Sequence, residues 1–341
     1  MLGLLRFVLA LLVVAAHLSG GIQFLSHWGV FAVFGFYLVS GYLMTVILNE
    51  TYLFKFLPFT ANRFLRLFPI YYFVAFGSAV VIFFVSSASR FHPAWEIKYR
   101  LIDLLGNGLI FPFEFYDASF RLIPPTWSVA VELVNYFLLW LIVARSRKLA
   151  IATLLFALAY HVIGLAIGLD WVKRYYPFYA ALLPFSLGAC IYFFRSLWFS
   201  LSTLALQRIS IFSFLTWVAN LIVCGVVAGV GGRYFDFFFY VNLVCLLAFV
   251  SCLTTPAFSA LFKRSGKALG DLAYPIFLTH WIVGFIMNML LLNNAGKGLP
   301  LLAVSVLPIL VISFLVSWLA NRWIEPLRYK VRPKVRSSSP A

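Results

Sequence analysis

The sequence predicts an all-α, polytopic membrane protein of about ten transmembrane helices with both termini in the cytoplasm. Hydrophobic residues make up 64% and charged residues 11% of the 341 positions, whereas a soluble domain is about half apolar and about a quarter charged. Apolar runs of about 20 residues, enough to cross a hydrocarbon core of about 30 Å, recur from Leu4 almost to the C-terminus. We therefore expect a lipid bilayer to be the solvent for most of the chain.

Ten spans account for these apolar runs. We place them at residues 4–26, 28–49, 67–88, 127–144, 149–169, 176–194, 211–230, 234–254, 272–293 and 300–321. The longest outer connection covers residues 89–126, and its 101–115 part is apolar enough to lie in the membrane interface. Residues 1–327 form one membrane domain, followed by a basic tail, 328–341, that we expect to be disordered and suited to anionic lipid headgroups.

The distribution of basic residues predicts the orientation of the spans. The formal net charge is +16, from 26 Lys and Arg against ten Asp and Glu. Eighteen of the 26 fall on the side of the termini and eight on the other side: Arg90, Lys98, Arg100, Arg121, Lys173, Arg174, Arg233 and Lys297. The positive-inside rule then places both termini in the cytoplasm. The basic surplus is interpreted as this signal, so no nucleic-acid partner is expected.

Two other features of the sequence have ordinary explanations. The four cysteines, Cys190, Cys224, Cys245 and Cys252, lie in apolar spans without metal-type spacing, so we interpret them as small core residues and expect no metal site. The first twenty residues could also be a secretory signal, but the apolar character continues through Leu25, which favours a retained span.

Arg6 and His17 are the first candidates for a functional site. Ionisable groups at membrane depth are costly, so each is a functional candidate by default. The two residues are eleven positions apart, which leaves only about 20° of rotation around a helix and an axial separation of about 16 Å. That geometry suits a long ligand whose anionic end lies at Arg6 and whose far end reaches His17.

Glu132 is the predicted partner of His17. It lies about five residues into the fourth span, so both residues are expected in the outer half of the membrane. A histidine paired with a carboxylate is a standard arrangement for general-base catalysis, because the carboxylate fixes the tautomer and stabilises the imidazolium. The alternative for each is structural: Arg6 extends to the headgroups and His17 bonds a backbone carbonyl.

Other polar residues in or beside the spans are weaker candidates. Arg63 and Arg66 are three positions apart at the cytoplasmic entrance of a helix, where both could bind phosphate groups of one ligand. The alternative is that they are ordinary basic residues that determine the orientation of the helix in the membrane. Ser40 in the second span is small and favours close helix packing over ligand contact. His280 and Glu325 could equally be hydrogen-bonded within the bundle. The remaining histidines, His27, His92 and His161, have no partner at recognisable spacing and are interpreted as structural.

Six segments, in order along the chain, resemble the acyltransferase-3 family of bacterial membrane acyltransferases. They are RFVLALLVVAAH with its R-x10-H spacing, GVFAVFGFYLVSGYLMT with Tyr42 where the family usually has Phe, NRFLRLFPIYY, PTWSVAVELVNYF, AYPIFLTHW with Phe277 at a usual Tyr, and IEPLR. Each motif is weak alone. Together they span nearly the whole chain, and no SGNH-type esterase domain follows the last span, so we expect a stand-alone membrane domain.

The resemblance implies a function and a set of roles. The family transfers an acyl group, usually from acetyl-coenzyme A, to a sugar hydroxyl, which implies a cytoplasmic acyl-CoA donor, a glycan or lipid-linked sugar acceptor, and the bacterial inner membrane. No permanently bound cofactor is expected. By position, His17 and Glu132 are the catalytic residues, and Arg6, Arg63, Arg66 and Ser40 bind the donor. The expected acceptor or pore-lining residues are Trp127, Ser128, Tyr136, His280 and Glu325.

Two other functions fit the same residues. A secondary transporter could use His17 and Glu132 as a proton relay, although the two matching halves with broken helices that such transporters show are not evident. A noncatalytic membrane sensor or scaffold is the second rival, and it has no need of the shared Arg6 and His17 face.

Overall fold

The computed structural model describes residues 1–85, 87–98, 100–232, 234–259 and 263–333, without the side chains of 259 and 263–265. Over this part of the chain the structure is 82% helical and contains no strand. The all-α prediction is therefore confirmed. Arg233, Lys334 and Arg336, which contributed to the predicted orientation, lie outside the described residues.

Within the described residues, ten apolar helices correspond to the ten predicted spans. They are α1 (Leu2–Leu18), α2 (Gln23–Ile47), α3 (Phe56–Phe84), α4 (Thr126–Leu138), α5 (Arg147–Ala166), α6 (Phe178–Phe193), α7 (Thr203–Val227), α8 (Phe235–Leu253), α9 (Lys263–Leu292) and α10 (Leu299–Trp323). Single π-helical turns, Leu48–Tyr52 and Leu139–Val143, extend α2 and α4. Eight of the ten are long and apolar enough to cross a membrane, and α1 and α6 are shorter apolar helices.

The boundaries of two spans differ from the prediction in ways that matter for the site. The first helix ends at Leu18 instead of residue 26, because Gly20 and Gly21 adopt φ of 75° and 77° and turn the chain before α2. His17 consequently lies at the end of its helix. In the other direction, α3 begins at Phe56 and not at residue 67, with Pro58 in the first turn, where its missing N–H is tolerated.

The centre of the bundle is built on close contacts between α1 and α9 and between α2 and α6. A Cβ atom at Gly41 would lie 2.3 Å from the Phe185 carbonyl oxygen, and one at Gly188 would lie 2.3 Å from that of Leu38. Gly3 and Gly270 bring α1 and α9 together in the same way. Small residues at these positions let the backbones approach directly and fix the rotation of each helix against its neighbour.

An outer segment between α3 and α4 folds back over the bundle. It contains a helix, Leu101–Leu109, whose Leu101 and Leu104 are exposed while Asn107 is buried. The Asn107 side chain donates to two backbone carbonyls, and the backbone carbonyl of Asn107 accepts from the Tyr71 hydroxyl at 2.7 Å. An apolar face outside and a bonded polar face inside fit the predicted interfacial position.

The C-terminal segment begins as a helix, Glu325–Val331, and not as a disordered tail. Arg328, assigned to the tail from composition, is 5% exposed and bonds Glu325, one turn away. It also reaches Asn62 in α3, whose side-chain oxygen accepts from it at 3.3 Å. Burial of these contacts holds the helix to the bundle. Residues 334–341 of the predicted tail lie outside the described residues.

Candidate active site

His17 pairs with a second histidine. Its Nδ1 lies 2.9 Å from Nε2 of His280 in α9, and the planes of the two rings are nearly parallel, with 13° between them. His280 is fully buried, and its Nδ1 lies 3.2 Å from the carbonyl oxygen of Ile276. His280, which was predicted to line the acceptor site or pore, therefore lies behind His17.

These hydrogen bonds determine which nitrogen of His17 is free. A carbonyl oxygen only accepts, so Nδ1 of His280 carries a proton, and Nε2 of the neutral ring accepts. The Nδ1 of His17 must then donate to it, which leaves the lone pair of the neutral His17 ring on Nε2. That atom points toward Gly29, where a Cβ would lie 4.0 Å away. The arrangement presents His17 as a base toward an open space.

Glu132 does not meet His17, so the predicted hydrogen-bonded pair is wrong. Its Oε1 accepts from Ser40 at 2.6 Å and also from Tyr136 one turn further along α4. The cause is depth, because His17 is at the outer end of α1 while Glu132 is almost two turns inside α4. The carboxylate instead shares a small cavity with Arg6. The alternative function as a transporter required a proton relay between His17 and Glu132, and these two side chains are not in direct contact either.

A large cavity opens beyond His17, on the side of the bundle opposite the N-terminus. Its volume is about 990 Å³, and its wall is rich in aromatic rings from the connections on that side. Trp127, predicted to line the acceptor entrance, lies in this wall and packs on Tyr176 with ring centroids 4.4 Å apart. Flat aromatic surfaces that surround a histidine suit a ring-shaped, partly apolar ligand.

Charged groups in the connections give this cavity a divided electrostatic character. Burial raises the pKa of Glu114 to about 7, and the backbone N–H of Phe178 donates to it at 2.7 Å. Burial, with the positive charges of Lys297 and Arg121 next, lowers the pKa of His92 to about 3. His92 is therefore a neutral ring, and it was left structural in the sequence because nothing there showed its nearness to His17.

Smaller cavities continue from His17 toward the other side of the bundle. One of about 360 Å³ shares His17 and Trp127 with the large cavity and reaches Ser128 and Phe277. Those last two residues also line a cavity of about 40 Å³ that contains Arg6, Ser40 and Glu132. A fourth, of about 20 Å³, lies beyond Tyr274 and contains Arg66 and Glu325. The series follows α1 from His17 to Arg6.

Four arginines surround the inner end of this series. Arg66 bonds Asp271 at 3.4 Å, and its charge acts on both Arg6 and Arg328. The side-chain oxygen of Asn62 accepts from Arg63 at 2.8 Å and from Arg328 at 3.3 Å, which joins those two. Among the described residues Arg6 makes no hydrogen bond or ion pair, and the buried Nε atoms of Arg63 and Arg328 have no partner. An anion is the natural complement.

The predicted residues thus fall into two groups. His17, Trp127 and Ser128 lie at the outer cavities, with His280 behind them. The inner cavities are lined by Arg6, Ser40, Arg66, Glu132 and Glu325. Tyr136 is joined to them through Glu132, and Arg63 is joined through Asn62 to Arg328. Sequence reasoning missed Arg328, Asn62 and His92. The IEPLR segment contained a signal for Arg328, since an acid and a base three positions apart can pair on one helix face.

His17 is a half-buried histidine with a free ring nitrogen, and it lies where an outer aromatic cavity meets an inner basic path. This arrangement points to a multi-pass membrane protein that transfers a chemical group. A family model described as an acyltransferase domain matches residues 2–322. The chain belongs to this acyltransferase-3 family, as its motifs indicated, and its general activity is acyl transfer at a membrane. No curated protein matches the chain significantly. No solved structure does either.

Proposed function

We propose that this protein transfers an acyl group, acetyl in the simplest case, from cytoplasmic acyl-coenzyme A to a sugar hydroxyl of a cell-surface or lipid-linked glycan, in the bacterial inner membrane. The observation that carries the proposal is the series of cavities along α1, which share lining residues from His17 to Arg6. A donor from one side and an acceptor from the other can meet at His17 only along such a path.

The inner arginines are the proposed donor site. Coenzyme A carries several phosphate charges at one end and a thioester at the end of a long thin arm, which matches a basic mouth and a narrow path. Arg6, Arg63 and Arg66 supply guanidinium groups, which bind phosphate oxygens in pairs. Ser40 and Glu132 lie further along the same path, beside Arg6. Glu132 then balances the charge of Arg6 and holds Ser40 and Tyr136, instead of supporting His17.

The outer aromatic cavity is the proposed acceptor site. Sugars present apolar ring faces to aromatic side chains and hydroxyls to polar groups. A sugar against Trp127 lies in the cavity to which His17 also contributes. Its hydroxyl reaches Nε2 of His17 by the space beside Gly29.

The reaction follows from the tautomer of His17. Nε2 takes the proton of the acceptor hydroxyl while the oxygen attacks the thioester carbonyl carbon. The C–S bond breaks, the ester forms, and the proton passes from His17 to the departing thiolate. His280 accepts the hydrogen bond from Nδ1–H of His17 throughout the reaction, and so it has the orienting role that was predicted for Glu132. Attack by His17 itself, to give an acyl-histidine, uses the same nitrogen.

A reconstituted assay tests the proposal. Purified protein in nanodiscs is given radiolabelled acetyl-CoA and a panel of glycans, with His17→Ala beside the wild type. We expect label in the glycan for the wild type and a loss of at least 10²-fold for the variant. A matched control is His161→Ala, a buried histidine that bonds Tyr240 and the Ala180 carbonyl away from the cavities. No acyl transfer or thioester hydrolysis by the wild type would overturn the proposal.

A further inference from the structure

One wall of the outer cavity has nitrogen donors without a carboxylate partner. His92 and Arg121 line the cavity, and Lys297 lies against Trp281, which also lines it. The sequence treated these residues as structural or as outer-side charges. Among the described residues, none of the three makes an ion pair. A cation that is partly removed from water, as Arg121 is, is costly unless an opposite charge compensates it.

Lys297 is held against aromatic rings beside His17. Its Nζ lies 4.7 Å from the ring of Trp281 and 5.5 Å from that of Phe91. The rings of His17 and His92 pack on the same indole, with centroids 5.2 and 4.3 Å from it. Trp281 therefore places an ammonium group and two imidazoles around one side chain. The Lys297 side chain is exposed, and its partial burial against these rings lowers its pKa.

Arg121 is joined to the same wall through the backbone. Its N–H donates to the Ala94 carbonyl at 2.9 Å, next to the turn that carries His92. Its Nε is buried without a partner, and its guanidinium lies 6.0 Å from the ring of Phe113. A guanidinium that contributes to the cavity wall and makes no side-chain hydrogen bond among the described residues is free to receive an anionic oxygen.

The third donor is set by the tautomer of His92. Its Nδ1 accepts the backbone N–H of Ala94 at 3.0 Å, so in the neutral ring the proton is on Nε2. His92 thus offers one N–H from a ring that lines the cavity.

Among the described residues, no nearby carboxyl group forms an ion pair with His92, Arg121 or Lys297. Glu114 accepts from the backbone of Phe178, and Asp117 is exposed to solvent. Asp103 attracts Arg121 at longer range but accepts from Ser119 at 2.7 Å and lies 3.9 Å from Arg100. Glu114 and Asp117 line the same cavity and belong, like His92 and Arg121, to the connection between α3 and α4, whereas Lys297 belongs to the connection between α9 and α10.

We propose that His92, Arg121 and Lys297 form an anion subsite for the acceptor, so that the sugar acylated at His17 carries a negative charge. This inference rests on the proposed function and names its acceptor class. The charge is a carboxylate on the sugar itself or a phosphate that joins the sugar to a lipid. In either case the negative charge lies within about one sugar ring of the hydroxyl at His17, because the Trp281 ring contacts both His17 and the Lys297 ammonium group.

Kinetics with matched acceptors test the subsite. The acceptors are a glucose-terminated oligosaccharide, its glucuronate-terminated counterpart, and glucose linked to a polyprenyl phosphate. For the wild type, the KM of at least one charged acceptor should be on the order of tenfold or more below that of the neutral one. Preference for the glucuronate indicates a carboxylate on the sugar, and preference for the lipid-linked sugar indicates the phosphate.

Charge-removing variants separate the subsite from general effects. Lys297→Gln and Arg121→Gln should each raise the KM of the charged acceptor about tenfold while the KM of the neutral acceptor and of acetyl-CoA stay unchanged. Lys173→Gln removes an exposed cation from the same side of the protein and should change neither. Equal KM values for charged and neutral acceptors, or equal effects of the variants on both, would overturn the inference.

A binding measurement keeps the two proposals distinguishable. Isothermal titration of the glucuronate oligosaccharide and of the lipid-linked sugar into His17→Ala protein reports on the subsite without any chemistry. We expect binding of a charged probe that weakens with Lys297→Gln and with added salt. If binding is seen but the wild type transfers no acyl group, the proposed function fails and the subsite stands. If the wild type transfers the acyl group but shows no preference for charged acceptors, the proposed function stands and the anion subsite fails.

Discussion

His280→Leu removes the acceptor for the Nδ1 proton of His17 while it keeps an apolar side chain of similar size in a fully buried place. In the variant, the Nδ1–H of His17 has no partner, and the tautomer with its proton on Nε2 becomes competitive. That tautomer has no lone pair toward the cavity. A buried donor without an acceptor costs about 1–3 kcal/mol, which corresponds to a roughly 5- to 150-fold change in the tautomer ratio.

The assay is release of the coenzyme A thiol by protein in nanodiscs with a saturating glycan. We expect kcat to fall by about one to two orders of magnitude, with the KM for acetyl-CoA unchanged because the arginines are not altered. His280→Gln places an amide oxygen near the position of Nε2, and we expect it to recover part of the lost rate. His27→Leu is the matched control, since it removes a buried histidine that bonds the Leu221 carbonyl at 2.8 Å, away from the site.

The outcome that would refute this reasoning is specific. If His280→Leu keeps the wild-type kcat, the hydrogen bond between the two rings does not set the base. If the Leu and Gln variants lose the same activity, packing around His17 matters and the acceptor does not. A loss equal to that of His27→Leu would indicate a general effect on folding.

Three further predictions concern pH, packing and stability. The pKa of Glu114 is raised by burial above its ordinary 4.5 to about 7, so folding stability should fall as the pH rises through that window; Glu114→Gln should flatten the curve of melting temperature against pH, and parallel curves would contradict this. Gly188→Ala should cost about 1–3 kcal/mol or prevent folding because its Cβ would overlap a backbone oxygen, whereas Gly77→Ala meets nothing within 4 Å and should be neutral or stabilising in the same melting assay. Arg174 donates to both oxygens of Asp236, at 2.7 and 2.9 Å, so Arg174→Leu should destabilise by about 1–3 kcal/mol in thermal unfolding, toward the low end because the carboxylate is partly exposed. A melting temperature unchanged from wild type would show that water replaces this pair.

Much of the fold followed from apolar periodicity, since each helix must hide its backbone from lipid within itself. The positions at which one helix ends and the next begins were harder to predict. Gly20 and Gly21 end α1 early, yet the apolar residues beyond them belong to the next helix and looked continuous with the first. That error moved His17 from the middle of a span to its end and produced the wrong pairing with Glu132.

The shared face of Arg6 and His17 depended only on helix geometry, and α1 is indeed one uninterrupted helix from Leu2 to Leu18. The partner of His17 required more. His280 is 263 positions away in the chain, and its approach depends on how closely α9 packs on α1 at Gly3 and Gly270. No sequence period encodes the rotation of one helix against another. The burial of Arg328 was missed for a different reason. A helix that buries one arginine and a disordered basic tail can have the same amino-acid composition.

The narrow cavity of about 40 Å³ between the inner and outer parts of the path has a consequence for the cell. A path that nearly crosses a membrane must not leak protons, or it would discharge the potential that the membrane maintains. So small a space holds only a few water molecules, and Arg6 puts a fixed positive charge beside them, as arginines do in pores that pass neutral solutes and exclude cations. If Arg6 binds the donor as proposed, the same residue would also insulate the membrane. The acyl arm of the donor would then have to displace the water from this cavity and fill the space at each turnover.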